Sequence, residues 1–241
     1  MVIFCHGYKG YKDWGAWNLV AEEFAENGID FLKFNFLLNG GTLEDPIDFP
    51  DLDAFGRNTY SQEVKDLNEV ILYVKETYPD KKIALIGHSR GGGVVTLVAG
   101  QNQNVDNVIS WAGVSDFKSR FPVGDELKNW KESGVRYVLN GRTNQEMPHY
   151  YSFYEDFVRN ESQLDILQWV KHISKPHLII HGNEDLAVNV SEAMEIHRAN
   201  PSSELFLLDT DHTFGSRHPW LIKELPGALE TIVHKSIKFV K

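Results

Sequence analysis

A single cysteine, Cys5, stands among the 241 residues, so no internal disulfide holds this chain together and its stability has to come from a buried core. Missing as well is any apolar run near the ~18 residues that a membrane-spanning helix requires. Basic residues do not dominate: 24 Lys and Arg against 34 Asp and Glu give a net charge of -10, which argues against a non-specific nucleic-acid or anionic-membrane binder. No secretory leader is visible, because Met1 is followed at once by Val2-Ile3-Phe4-Cys5-His6-Gly7, and a cytoplasmic location is the expectation. No His, Cys, Asp or Glu cluster has a metal-ligand spacing, and Gly91-Gly92-Gly93 forms neither a dinucleotide fingerprint nor a P-loop. Neither a metal nor a cofactor is therefore expected, and no repeat or low-complexity tract divides the chain.

What is present has the make-up of an ordinary globular protein, 42% hydrophobic and 24% charged, at a length that one α/β core commonly fills. Short continuous apolar runs, the pattern of strands buried on both faces, occur at Val2 to Cys5, Ile29 to Phe36, Ile83 to Ile86, Val105 to Trp111, Pro176 to Ile180 and Leu205 to Leu208. Helical spacing lies between them. Trp14 to Asn27 is read as a helix with Asp13 as its N-cap, Thr59 to Thr77 as a second, Gly91 to Ala99 as a third and Val190 to Ala199 as a fourth. A closing helix from Trp220 to Val240 is interrupted at Leu225-Pro226-Gly227. Leu38 to Asn58, rich in turn formers and acids, reads as a long surface loop. The alternation predicts a doubly wound, mostly parallel sheet of about six strands in a single domain spanning 1–241. It breaks between Asp116 and His172, where no clear strand is visible and aromatic residues concentrate. The segment 116–172 is accordingly read as an inserted cap.

Chemistry concentrates at Gly87-His88-Ser89-Arg90-Gly91, which joins an apolar strand to a helix of small residues. Gly-x-Ser-x-Gly at such a junction is the nucleophile elbow: glycines two residues either side of the serine remove side chains that would collide across a sharp turn. A serine hydroxyl needs a base to take its proton and an acid to orient that base. Downstream, one strand runs into His181-Gly182-Asn183-Glu184-Asp185 and the next into Asp209-Thr210-Asp211-His212. Open parallel sheets place their sites at the C-terminal ends of strands, so Ser89, an acid and His212 are expected to converge.

His6-Gly7-Tyr8-Lys9-Gly10, Gly87-His88-Ser89-Arg90-Gly91-Gly92, His181-Gly182-Asn183-Glu184-Asp185 and Asp211-His212-Thr213-Phe214, in this order, resemble the α/β-hydrolase fold family. Within it the chain is similar to short esterases related to feruloyl and cinnamoyl esterases, and to the catalytic domains of prolyl-oligopeptidase-type peptidases. The resemblance implies a Ser89, Asp185, His212 triad, with Asp185 preferred over Glu184 because the family's Asp stands three residues after the glycine. Asp211, next to the base, is expected to shape its loop. The resemblance also implies an oxyanion hole from the backbone N–H groups of Tyr8 and Arg90, where side-chain changes would matter less than position suggests. The two strands that family members usually carry before the His-Gly segment find no room here. Candidate substrate contacts are His88, which either lines the pocket or packs beneath it, and His149 and Tyr150 in the cap, where an aromatic cluster packing on itself is the equal alternative. The expected partner is a small-molecule ester. The alternatives are an aminopeptidase or acyl-peptide hydrolase using the same triad, and a catalytically silent binding protein on the same fold.

Overall fold

A computed structural model describes residues 1–241. Six parallel strands form one sheet: β1 (Val2–Cys5), β2 (Phe31–Lys33), β3 (Ala84–His88), β4 (Asn107–Trp111), β7 (His177–Gly182) and β8 (Glu204–Leu208), in the order β2-β1-β3-β4-β7-β8. Alternate strand residues supply two separate cores. Ile3, Cys5, Leu85, Val108 and Ile179 face one side, where they meet α3 (Tyr60–Thr77), α4 (Arg90–Gln101), α7 (Ile166–Val170) and α8 (Val190–Ala199). Val2, Phe4, Ile86, Ile109, Trp111, Leu178 and Ile180 face the other, against α1 (Trp17–Glu26) and α9 (Gly227–Val240). Because both faces are covered, the strands have no polar side to show, which is why they read as continuous apolar runs. No helix is long and apolar enough to cross a membrane.

The register aligns strand ends rather than strand middles. Cys5 pairs with Gly87, His88 with Trp111, and Gly182 with Leu208, so the loops after β1, β3, β7 and β8 all leave the sheet along one edge. Helix α4 passes directly behind that edge, buried from Gly91 to Gly100. Its small residues set its depth: a Cβ on Gly91 would stand 2.4 Å from the carbonyl oxygen of Cys5, and one on Gly100 2.4 Å from that of Trp169.

Several elements differ from the sequence expectation, each for a local reason. Helix α1 begins at Trp17 behind Ala16, without a side-chain cap, because the Asp13 carboxylate is engaged by Lys12 and Lys33. Strand β2 shortens to three residues at the sheet edge, where only β1 pairs with it. The surface loop ends in a short helix, α2 (Leu52–Arg57), capped by Asp51 accepting from the N–H of Ala54 and too short to display a period. The closing helix starts only at Gly227.

The largest departure is in 116–172. After a 3-10 turn at Lys118–Arg120 and helix α5 (Gly124–Ser133), strands β5 (Val135–Asn140) and β6 (Gln145–Tyr150) form an antiparallel hairpin, followed by α6 (Ser152–Arg159). These strands escape sequence reading because Pro148 sits inside β6, where it cannot donate to the ladder, and because Tyr137 and Leu139 are exposed rather than alternating cleanly with a buried set. α7, at the end of the segment, packs into the main core through Ile166 and Val170.

Helix α3 gives a direct check on this packing. Leu67 is fully buried in the core, whereas Leu72, five residues on, is 48% exposed. Leu67→Ala is expected to destabilise by about 2–5 kcal/mol and Leu72→Ala by no more than about 0.5 kcal/mol, read from urea unfolding midpoints.

Candidate active site

The turn that joins β3 to α4 is made by close contact. A Cβ on Gly87 would lie 2.1 Å from the carbonyl oxygen of Gly91, so no other residue fits there. Ser89, between them, has φ 58 and ψ -121, a left-handed backbone that costs a side-chain-bearing residue on the order of 1–3 kcal/mol. The surrounding bonds hold it there: Ser89 N–H donates to the Trp111 carbonyl at 2.9 Å, and its own carbonyl accepts from Gly93 and Val114. The loop after β1 crosses closely above, since a Cβ on Gly7 would meet the Ser89 Cβ at 2.9 Å. The N–H of Tyr8 in that loop donates to no protein group, and the N–H of Arg90, the first residue of α4, has no partner within its helix.

Asp185 and His212 arrive from the loops after β7 and β8. His212 Nδ1 donates to Asp185 Oδ2 at 2.7 Å, so that in the neutral imidazole Nε2 is the acceptor. Asp185 is 6% exposed and densely bonded: its Oδ1 accepts from the N–H groups of Ala187 and Val188, both at 2.8 Å, and His181 Nε2 lies 3.2 Å from Oδ2. Burial alone would raise its pKa, but the hydrogen bonds from His181, His212 and Val188 outweigh it and hold the carboxyl well below the usual range. Glu184 is exposed. Asp211 accepts from the N–H groups of Thr213 and Gly215 and so ties its own loop.

The His212 loop is pinned from beneath. His88 Nε2 donates to the His212 carbonyl at 2.8 Å, its ring 4.8 Å from that of His212 and 5.4 Å from Trp17, and Phe214 is fully buried in the core below. His88 also borders a cavity of about 260 Å³ that includes Ser89, His212, Lys9, Asn140 and Arg142.

A larger cavity of about 470 Å³ lies on the other side, again touching Tyr8, Ser89, Arg90 and His212. Tyr60, Phe117, Phe121, Trp130 and Phe153 line it, so the concentration of aromatics in 116–172 closes over the serine; Arg120, Arg136, Val138 and Val188 complete it. None of these last residues carries a local signal in the sequence: the hairpin brings Arg136 and Val138 to Ser89, the 3-10 turn brings Arg120, and the loop after β7 brings Val188. His149 lines this cavity, its Nε2 2.7 Å from the Tyr8 hydroxyl. Tyr150 does not: strand alternation turns it outward, where its hydroxyl donates to Asp53 and its ring covers Gly56. The side chains of Tyr8 and Arg90 are not bystanders either. The Arg90 guanidinium lies 4.3 Å from the centre of the Tyr8 ring and pairs with buried Glu63 at 3.2 Å, so both side chains form part of the cavity wall. No group of three or more His, Cys, Asp or Glu side chains is arranged to hold a metal ion.

Burial holds His6, His88 and His149 neutral, their pKa values lowered to about 4, 3 and 3. In the unfolded chain each titrates near 6.5, so the folded state binds fewer protons between those limits and stability falls with acidification. Unfolding free energies from urea titrations are expected to fall from pH 6.5 to pH 4.5 by about 1 kcal/mol per pH unit for each such histidine, and His149→Phe is expected to flatten the slope by one histidine's share.

Against known proteins, the family model described as "alpha/beta hydrolase fold" matches residues 1–133, more than half of the chain. No curated protein matches the sequence. Among solved structures, Est1E from Butyrivibrio proteoclasticus superposes with a TM-score of 0.68 at 17% identity, over 99% of this chain and 86% of that one. Est1E has also been solved with ferulic acid bound. The monoacylglycerol lipase of Paleococcus ferrophilus superposes with a TM-score of 0.70 at 14% identity, over 99% and 93%. The esterase domain of a Rhodothermus marinus protein gives 0.64 at 18%, over 99% and 85%. With a six-stranded parallel sheet, a serine on the turn after its third strand in chain order and a match over half its length, this chain belongs to the α/β-hydrolase fold family.

Proposed function

We propose that the protein is a serine hydrolase that cleaves carboxylic esters through a Ser89-His212-Asp185 triad and an acyl-enzyme intermediate. The observation that carries this reading is the 2.7 Å bond from His212 Nδ1 to Asp185, which leaves His212 Nε2 as a base in the same cavities as the strained Ser89. Ser89 Oγ makes no hydrogen bond to His212 here, and in unliganded sites such bonds are often long until substrate tightens them.

In the proposed reaction Ser89 Oγ attacks the acyl carbon while His212 Nε2 takes its proton, and the Asp185 carboxylate stabilises the imidazolium that forms. The carbonyl oxygen, now an anion, is met by the N–H groups of Tyr8 and Arg90, each worth about 3 kcal/mol on the transition state. Collapse of the tetrahedral intermediate expels the alcohol, which receives the proton from His212. Water, deprotonated by the same imidazole, then attacks the acyl-enzyme and releases the acid. Two cavities meeting at Ser89 suit the two halves of an ester. The aromatic walls of the larger favour an apolar or aromatic group, and the esterase and lipase names of the structural relatives support the same reading. The segment 116–172 acts in this reading as a cap that selects what enters.

Purified protein is expected to hydrolyse 4-nitrophenyl esters and methyl ferulate and to be labelled at Ser89 by a fluorophosphonate. Ser89→Ala is expected to lower kcat by about 10⁶-fold and Asp185→Asn by about 10⁴-fold, the latter because the amide stabilises the wrong imidazole tautomer. Preference for aminoacyl 4-nitroanilides would favour a peptidase, and the absence of both turnover and labelling would overturn the reading.

A further inference from the structure

The chain carries ten more acidic than basic residues, yet no Asp or Glu lines either cavity that meets at Ser89. Five cations do: Arg90, Arg120 and Arg136 in the larger, Lys9 and Arg142 in the smaller. Structural ion pairing accounts for part of this, since Arg90 pairs with Glu63, Arg120 with Glu192, Arg136 with Glu126 and Arg142 with Asp48. It does not account for the arrangement. Every carboxylate partner stands outside the linings while every cation stands inside them, and Lys9 has no carboxylate at all, its Nζ donating to the Leu139 carbonyl at 2.9 Å. A guanidinium offers five N–H donors, and the only hydrogen bond that Arg90 makes through its own is the one from Nη1 to Glu63. Spare donors in a mostly apolar cavity are left for a ligand. His149 registers the same field: after burial, the charges of Arg90, Arg136 and Lys9 are what hold it neutral.

We infer that the site selects esters that carry a carboxylate, an apolar or aromatic body ending in an acidic group, gripped by the arginines of the larger cavity. The inference rests on the ester-hydrolase reading and names the substrate class of that same site. Clefts of one sign inside low-dielectric walls concentrate ligands of the other, raising association rates by about 10 to 10³-fold in a salt-sensitive way. Arginine adds geometric fit, because its planar fork binds a carboxylate through two parallel bonds. Arg120 and Arg136, on the 3-10 turn and on β5, are the specificity-determining residues in this assignment; both belong to the inserted segment rather than to the sheet that carries Ser89.

The test compares substrates that differ only in charge. 4-Nitrophenyl hydrogen adipate is assayed against its terminal primary amide, and 4-acetoxybenzoate against 4-acetoxybenzamide, which places the anion on the acyl side in one pair and on the alcohol side in the other. The expected result is a kcat/KM ratio of acid to amide of about 10 or more in at least one pair at low salt. That ratio should fall toward one at 0.5 M salt and by about tenfold in Arg136→Gln or Arg120→Gln, with Arg136→Lys recovering part of it. A ratio at or below one in both pairs, or one that neither salt nor the substitutions change, overturns the inference and leaves ester hydrolysis standing. Should no ester be turned over, calorimetric titration of Ser89→Ala protein with 4-acetoxybenzoate and its amide decides separately. Salt-sensitive binding of the acid alone, lost in the Ser89→Ala, Arg136→Gln double variant, supports the inference, and no binding of the acid overturns it.

Discussion

The contact on which the site depends is the approach of α4 to the ends of β1 and β3. Gly91 packs so near the carbonyls of Cys5 and His6 that a methyl group would overlap both, and Gly87 packs equally close to Gly91. That proximity forces a sharp turn and leaves Ser89 in a left-handed backbone where it lines both cavities. It also brings the loop after β1 over the serine, with the Tyr8 N–H beside it. Ser89 and the loop that carries the unpaired Tyr8 N–H are thus brought together by one packing event. The strain it stores is offset by the fully buried helix behind it.

Asp185 shows how the same edge of the sheet holds a charge. A carboxylate with 6% exposure would protonate if left alone, but three donors bond it, two backbone N–H groups from its own loop and the His212 imidazole, and His181 Nε2 lies 3.2 Å away. His181, near the end of β7, donates its Nε2 proton to the Val188 carbonyl, which ties the acid loop to the strand below it. On the neighbouring loop, His88 and Phe214 do the corresponding work for His212. Asp185 and His212 therefore each rest on buried groups that fix the loops carrying them.

The inserted segment follows different rules. Its aromatic residues stack around Tyr60 and Phe121, with Phe117 parallel to Tyr60 at 4.0 Å and Phe153 edge-on to both. Some of these rings belong to the core and to the cavity wall together. The hairpin contributes Arg136, Val138 and His149 to that wall, and the turn before α5 contributes Arg120.

Much of the body was legible in residue order. Strands buried on both faces appear as apolar runs, α4 as small residues, and the sharp turn as two glycines around Ser89, because each reflects a constraint acting within a few residues. Asp185 and His212 could be placed at strand ends for the same reason, since a parallel sheet aligns those ends whatever the loops between them contain. The hairpin was not legible, because Pro148 and the exposed Tyr137 and Leu139 blur its period. Nor were the cavity's arginines, or the outward turn of Tyr150, visible in advance. The sequence by itself determined the sheet and its sharp turn, both matters of local sterics and periodicity. Tertiary structure alone decided what surrounds them, because the wall of the larger cavity is built from residues as far apart as Tyr8 and His212, and no local rule measures that distance.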